Sequence, residues 1–290
     1  MPQNALKSQP DPGPMIDEKV LRGLTRLPVL PLVWRKVLDC LEDPWSTLGE
    51  LEAIIRREQA LAARLLAEAN SAFYGLSGEV TSVQRAVQVL GLQTVRRVCM
   101  DFGLSQLLRA SNPYRRAEGQ ILWRHCVQVA EAAGLLAGAA RGLEAETAYT
   151  AGLLHDLGKV LLAACFPLAF QAVRQKQQRE KISWLAAEEA LKLDHQALGL
   201  FLAQKWGLPP LLAEVIGQHH DPRPGPGQDA LVSLAHLADG LARSLLVEPP
   251  EQAAPSQAQE ACLAALGLDA ARLEACREKL RARLEAMDKV

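Results

Sequence analysis

Residues 151–160 read AGLLHDLGKV, and this stretch organises the rest of the chain. An apolar run carries the adjacent pair His155–Asp156, followed by Gly158 and Lys159. An imidazole nitrogen beside a carboxylate oxygen is a ready pair of ligands for a divalent metal. Gly158 lets another backbone or a ligand come close. Lys159 puts a point charge near any anion bound there. The bland alternative is a buried pair that satisfies hydrogen bonds at a helix end. Against it stands the distribution of the six histidines: His125, His155, His195, His219, His220 and His236 surround the pair, and none lies in the first 124 residues.

Working outward, a long helix is predicted from about Tyr114 to Leu135, carrying Trp123, His125 and Cys126. The His-Asp stretch falls in the next helix, Ala145 to about Ala164, broken near Pro167. Ser183 begins another. Trp184 to Leu193 and His195 to Trp206 form a bent pair. Pro209–Pro210 starts a helix ending at His219–His220, and Leu231 to Leu246 carries His236 and Asp239. In a helical bundle a metal site is built from inward-pointing side chains of several helices. The candidate ligands are His125, His155, Asp156, His195, His219, His220 and Asp239. Asp239 sits in the apolar run LVSLAHLAD, where an unpaired charge would be costly. His195 has a competing role as the N-terminal hydrogen-bonding residue of its helix. His236 shares the Asp239 face and reads as core.

Towards the N-terminus, residues 1–15 are rich in Pro and Gln and predict disorder. A short helix covers Ile16 to Leu24. LPVLP at 27–31 predicts an extended entry, and a helix follows from Leu32 to Leu41. Thr47-Leu48-Gly49-Glu50 is a capping box for a helix to about Arg57. Ala60 to Ala69, apolar on more than one face, predicts a buried helix. Asn70 is placed to hydrogen-bond the turn that follows. Ser82 caps Val83 to Leu90, Gly91 stops that helix, and Leu92 to Ala110 is another. Asn112–Pro113 marks the domain boundary. At the other end, residues 249–256 read as a Pro- and Gln-rich linker. Asp269 caps a final charged helix with Leu273 and Leu280 on its apolar side.

Composition sets the class. Ala, Leu, Arg, Glu and Gln dominate, and β-branched and aromatic residues are few, which predicts an all-α protein. With 32 basic and 33 acidic residues the net charge is −1, which argues against a nonspecific nucleic-acid binder. No apolar run approaches the ~20 residues a membrane helix needs, and the start has no signal-peptide core. A cytoplasmic protein with no membrane or nucleic-acid partner is expected. The six cysteines are scattered without a CxxC and read as reduced, mostly buried thiols.

These motifs together resemble the HDOD family, signalling relatives of the HD-GYP phosphodiesterases within the HD superfamily of metal-dependent phosphohydrolases. The resemblance rests on LPVLP (27–31), ALAARLLAEANSAFYGL (60–76), RAVQVLGLQTVRR (85–97), ILWRHC (121–126), AGLLHDLGK (151–159), DHQALG (194–199) and VIGQHHDP (215–222). It covers about residues 25–245. It implies an N-terminal helical half over 16–112 packed on an HD-like half over 113–247; the linker and C-terminal helices expected over 248–290 lie outside it. The HD signature of a first His, an HD pair and a distal Asp implies His125, His155, Asp156 and Asp239 as ligands. The implied cofactor is a divalent metal, Fe or Mn before Zn or Mg, as one or two ions. Where HD-GYP relatives carry a Gly-Tyr-Pro loop, this chain reads HDPRPGPGQDA and has no tyrosine.

Three functions follow as expectations. The first is a regulatory module that senses a state or ligand and passes it to signalling protein partners. The second is a metal-dependent phosphohydrolase, with Asp156 and Lys159 as catalytic residues and a nucleotide as a possible ligand class. The third is a helical scaffold with a vestigial site.

Overall fold

The computed structural model describes residues 35–37, 39–40, 43, 45–56, 59–71, 80–107, 113–140, 142–225, 230–245 and 256–287. The expectations for 1–15, for Ile16 to Leu24, for 27–31 and for most of the 249–256 linker lie outside them. Among the described residues the chain is all-α, with no strand.

Capping side chains start several helices where the sequence puts them. Helix α1 (Leu48–Arg56) begins with a reciprocal pair: the Glu50 amide donates to Thr47 Oγ1 at 3.3 Å and the Thr47 amide to Glu50 Oε2 at 2.9 Å. Helix α2 (Gln59–Ala69) buries the stripe Leu61, Leu65 and Ala69, not several faces, because the core beneath it is small. Helix α3 (Val83–Leu107) starts at Ser82, whose hydroxyl accepts from the Arg85 amide, and kinks at Gly91. Gly91 has φ 72°, a left-handed conformation that costs glycine little. The stop expected at Gly91 is therefore a kink between two helical runs.

Helix α4 (Pro113–Ala139) is the long central helix of the second core. The single helix expected over Ala145 to Ala164 is two: α5 (Ala145–Leu154) and α6 (Leu157–Cys165). The break falls on His155–Asp156, where Asp156 leaves helical geometry (φ −94°, ψ 25°). Pro167 then opens α7 (Pro167–Glu180), as proline does at a first helical position. Ser183 caps α8 (Trp184–Ala190), and α9 (His195–Trp206) follows. The remaining helices are α10 (Pro210–Gln218), α11 (Ala230–Ser244), α12 (Gln257–Leu266) and α13 (Ala270–Met287).

Two apolar clusters organise the packing. One runs from Val37 through α1 and α2 to Cys99; the other starts at Met100 and takes in α4 to α13. Helix α3 therefore contributes to both. The C-terminal helices pack back on the bundle: Leu280 is buried, the Cys276 thiol reaches the Leu135 carbonyl at 3.7 Å, and Arg283 pairs with Glu131 at 2.8 Å.

Glycines bring the site-bearing helices close. A Cβ on Gly152 would lie 2.8 Å from the Val129 carbonyl oxygen of α4. One on Gly158 would lie 1.7 Å from the His195 carbonyl oxygen, and one on Gly199 would meet the Gly158 amide at 2.9 Å. The close approach expected at Gly158 is thus the crossing of α6 and α9.

Candidate metal centre

The break between α5 and α6 aims both members of the pair into the bundle. His155 and Asp156 are buried, Asp156 completely. The His155 Nδ1–H donates to the Gly152 carbonyl at 2.7 Å, one helical turn back, which leaves Nε2 as the lone-pair nitrogen. Residues from other helices surround the Asp156 carboxylate. His195 Nε2 stands 3.4 Å and His219 Nε2 3.5 Å from Oδ1; His155 Nε2 stands 3.3 Å and His125 Nε2 3.6 Å from Oδ2. His125 Nε2 is also 3.3 Å from Asp239 Oδ1, and His220 Nδ1 is 3.9 Å from Asp239 Oδ2.

All seven residues singled out as ligands therefore converge. They fall into two groups, Asp156–His195–His219–His220 and His125–His155–Asp239, with the ligand atoms of each group within 4.8 Å of one another. Asp156 lies where the groups meet, one oxygen towards each. His195 does not cap its helix: Asp194 does, accepting from the Ala197 amide at 3.1 Å, and frees the imidazole to turn inward. His236 stays outside the cluster and hydrogen-bonds the His219 carbonyl at 2.8 Å.

A second ring of contacts orients the first. The His195 Nδ1–H donates to buried Glu188 Oε2 at 2.6 Å. His219 Nδ1 faces the Val215 and Ile216 carbonyls at 3.3 and 3.2 Å. Gln196 accepts from the His220 amide at 2.8 Å. Lys159 Nζ lies 2.8 Å from Asp156 Oδ2, and Arg243 pairs with Asp239 Oδ2. Sequence reasoning missed Glu188 and Arg243. Glu188 and Glu189 are equivalent in the run WLAAEEA, and only the packing of α8 selects one. Arg243 lies four residues after Asp239, a helical pairing that the spacing does contain.

The electrostatics suit cation binding. Burial alone would raise both carboxyls. The His155 ring and the Lys159 ammonium beside it outweigh burial at Asp156, and the His125 hydrogen bond and Arg243 outweigh it at Asp239, so both are held well below the usual carboxylate range. Burial pushes His219 down to about 4 and, with His219 and His195 beside it, lowers His220 as well, so both rings are neutral ligands. Burial and the nearby Lys159 charge oppose the charged form of His195 too, but the carboxylates of Asp156 and Glu188 beside it prevail and raise it.

The residues fit a metal on one further observation. Asp156 Oδ1, His155 Nε2 and His220 Nε2 are buried with no hydrogen-bond partner in the protein. Unpaired buried polar atoms cost about 1–3 kcal/mol each. Asp156 and His220 belong to one ligand group and His155 to the other, and ions held there would satisfy all three atoms. Cys126, beside His125, offers no rival nucleophile: it is fully buried, and burial pushes its thiol well up. Among the described residues no disulfide joins the six cysteines.

One side of the cluster opens into a cavity of about 740 Å³, whose walls include His125, Asp156, Lys159, Trp184, Asp239 and Arg243.

Comparison with known proteins agrees with this architecture. A family model described as HDOD domain matches residues 27–222. An HDOD domain protein of unknown function from Geobacter sulfurreducens superposes with a TM-score of 0.74 at 26% identity, covering 91% of this chain and 94% of that one. A candidate signal transduction protein from Marinobacter aquaeolei VT8 gives 0.70 at 25% identity, over 94% of this chain and 64% of that one. An uncharacterized protein of Treponema pallidum is 27% identical over 233 residues, 79% of this chain but 44% of its own length. The chain thus spans less than half of that relative. Among the described residues no single helix is long and apolar enough to cross a membrane.

Proposed function

The chain belongs to the HDOD domain family, and from that premise we propose that it is a signalling regulator whose His/Asp centre binds one or two divalent ions. The observation that carries the metal reading is the buried Asp156 carboxylate, with an unpartnered Oδ1 and four imidazole nitrogens within 3.6 Å of its two oxygens. Mixed imidazole and carboxylate ligands favour Fe or Mn, with Zn and Mg as lesser candidates. The likeness to the Marinobacter protein supports the regulatory part. A near-zero net charge favours protein or small-molecule partners over nucleic acid or a membrane surface.

A second reading, a metal-dependent phosphohydrolase, is favoured by the open cavity beside the cluster. A bound ion would lower the pKa of water and polarise a phosphoryl oxygen. The protein's own part would be positional. His125, Asp156 and Asp239 line the cavity, Lys159 and Arg243 would offer charge to an anionic ester, and the apolar core around the cluster would exclude bulk water.

Elemental analysis of full-length protein purified without chelator tests the metal reading, with about one or more divalent ions per chain expected. Absence of any ion, even after reloading with Mn, Fe, Co and Zn, would leave only the scaffold. Turnover of bis(p-nitrophenyl) phosphate separates the other two. Hydrolysis by the parent that disappears in Asp156→Ala supports the enzyme; equal, negligible rates support the regulator.

A further inference from the structure

A second cavity, of about 210 Å³, lies where the N-terminal helices meet the bundle. None of the residues lining it belongs to the His/Asp centre. Four helices wall it: α2 gives Arg64 and Glu68, α3 gives Arg97 and Asp101, α4 gives Glu131 and α5 gives Tyr149. Some of these groups already satisfy one another. Asp101 pairs with Arg64 and accepts from Trp123 Nε1 at 2.9 Å. Glu131 Oε2 takes Arg283 of α13 at 2.8 Å.

Other groups in the cavity are left without partners. The Arg97 guanidinium stands 3.6 Å from Glu68 and 3.9 Å from Glu131 Oε1, which is too far for a hydrogen bond. It makes no hydrogen bond among the described residues, although it carries five N–H donors. Tyr149 is 7% exposed, and its hydroxyl likewise makes no hydrogen bond among the described residues. Burial, with Asp101 and Glu131 nearby, pushes that phenol up, so the hydroxyl keeps its proton and can donate. Leaving such groups unpaired is costly, about 1–3 kcal/mol for each buried one.

The unpartnered groups specify what would fill the space. Arg97 asks for an acceptor that can take its fork, and a carboxylate does so with two charge-assisted bonds. Glu68 and Glu131, on either side of it, ask for a cationic donor. The charges gathered here balance, with Arg64, Arg97 and Arg283 against Glu68, Asp101 and Glu131. A plain cation or anion would upset that balance, whereas a zwitterion keeps it. The volume lies below the ~300–1,000 Å³ of most small-molecule sites, which limits the occupant to a small one. The side chains of Arg64 and Glu68 are 44% and 37% exposed, and the way in lies between them.

We propose that this junction cavity binds a free α-amino acid, with its carboxylate on the Arg97 guanidinium and the Tyr149 hydroxyl, its ammonium between Glu68 and Glu131, and its side chain against Val98, Val127 and the Trp123 ring. The inference goes beyond the reading above, since it needs neither an ion nor turnover. An occupant held this way ties Glu68 of α2 to Glu131 of α4, the helix that also carries His125.

The test is a thermal-shift screen of the full-length protein against the common L-amino acids at millimolar concentration, with chelator present, followed by calorimetric titration. At least one amino acid is expected to raise Tm and to bind. Its N-acetyl and amide derivatives, each lacking one of the two charges, are expected not to. Arg97→Lys, which loses the fork, should weaken binding by about tenfold or more, the equivalent of one charge-assisted hydrogen bond. Tyr149→Phe keeps the packing and should weaken it by about threefold to tenfold, the equivalent of one neutral bond. Asp156→Ala should bind the amino acid as the parent does. Circular dichroism checks that each variant is folded. No binding of any amino acid to the parent would mean that the cavity holds only water, and would overturn the inference. Equal binding of the derivatives, or of folded Arg97→Lys and Tyr149→Phe, would overturn it as well. Loss of binding in folded Asp156→Ala would place the amino acid at the metal centre and overturn the junction site while leaving the metal reading intact.

Discussion

Glu188 shows how much of a metal site lies one shell behind its ligands. Its carboxylate fixes the His195 tautomer by accepting a hydrogen bond from the Nδ1–H, and so points Nε2 at Asp156. Glu188→Gln keeps the shape but removes the charge that makes the ring more basic. A 10–100-fold loss of affinity for Mn(II), typical of such partners, is expected by calorimetric titration, with the fold intact by circular dichroism. Unchanged affinity would mean that His195 is not a ligand. Gly158 carries the opposite kind of constraint, one of space. A methyl group there would fall 1.7 Å from the His195 carbonyl oxygen, which belongs to backbone and cannot swing aside. Gly158→Ala should force α6 and α9 apart and cost about 3 kcal/mol or more, at the upper end for overpacking. Urea denaturation measures it, and a loss under 1 kcal/mol would show that the crossing is more compliant than its geometry.

At the level of the elements, what was legible in the sequence was what neighbouring residues decide. Thr47, Ser82, Ser183 and Asp269 cap helices because each hydroxyl or carboxylate reaches an amide three residues on, a purely local event. The break at His155–Asp156 was not legible, because the nearby Gly152 and Gly158 both lie inside helices and no Gly or Pro stands at the break itself. Close packing of α5 on α4 and of α6 on α9 sets it, and those contacts are distant in sequence. Helix α7 went unread although Pro167 at its first turn was a usable signal. Glu188 could not be told from Glu189 for the same reason that the break was hidden. Asn70 lies between the two cases. Its role in a following turn was readable, but its partner is Val80, ten residues on. Its amide donates to the Val80 carbonyl at 2.8 Å, and its side-chain oxygen accepts from the Val80 amide at 2.7 Å. This pair clamps the end of α2 to the approach to α3. Asn70→Ala should cost about 1–3 kcal/mol, because buried Val80 keeps polar groups that lose their partners. A chemical denaturation midpoint equal to that of the parent would show that water replaces the clamp.

Across the whole molecule, α3 and a polar cluster join the two apolar cores. Asp101 accepts from Trp123 Nε1 at 2.9 Å and pairs with Arg64 of α2. Arg97 lies between Glu68 at 3.6 Å and Glu131 at 3.9 Å, with its guanidinium 5.1 Å from the Tyr149 ring centre. These residues come from α2, α3, α4 and α5, so the N-terminal helices are tied to the two helices that deliver His125 and His155. Trp123 and His125 stand two residues apart on α4, one turned to the Asp101 side and the other to the metal side. An ion that fixes His125 therefore restrains the helix from which the N-terminal half hangs. Binding to the folded state alone stabilises by about 2.7 kcal/mol at an ion concentration 100 times Kd. For a chain of this size that raises Tm by about 5–10 °C. Because α3 is shared and the polar cluster spans the junction, the heat-capacity trace should show one transition that moves as a unit when Mn(II) is added. Asp156→Ala should unfold in the same single step and not respond to the ion. Two transitions, of which metal moves only the upper, would mean that the N-terminal helices melt independently and that nothing felt at the metal centre is passed to them through the fold.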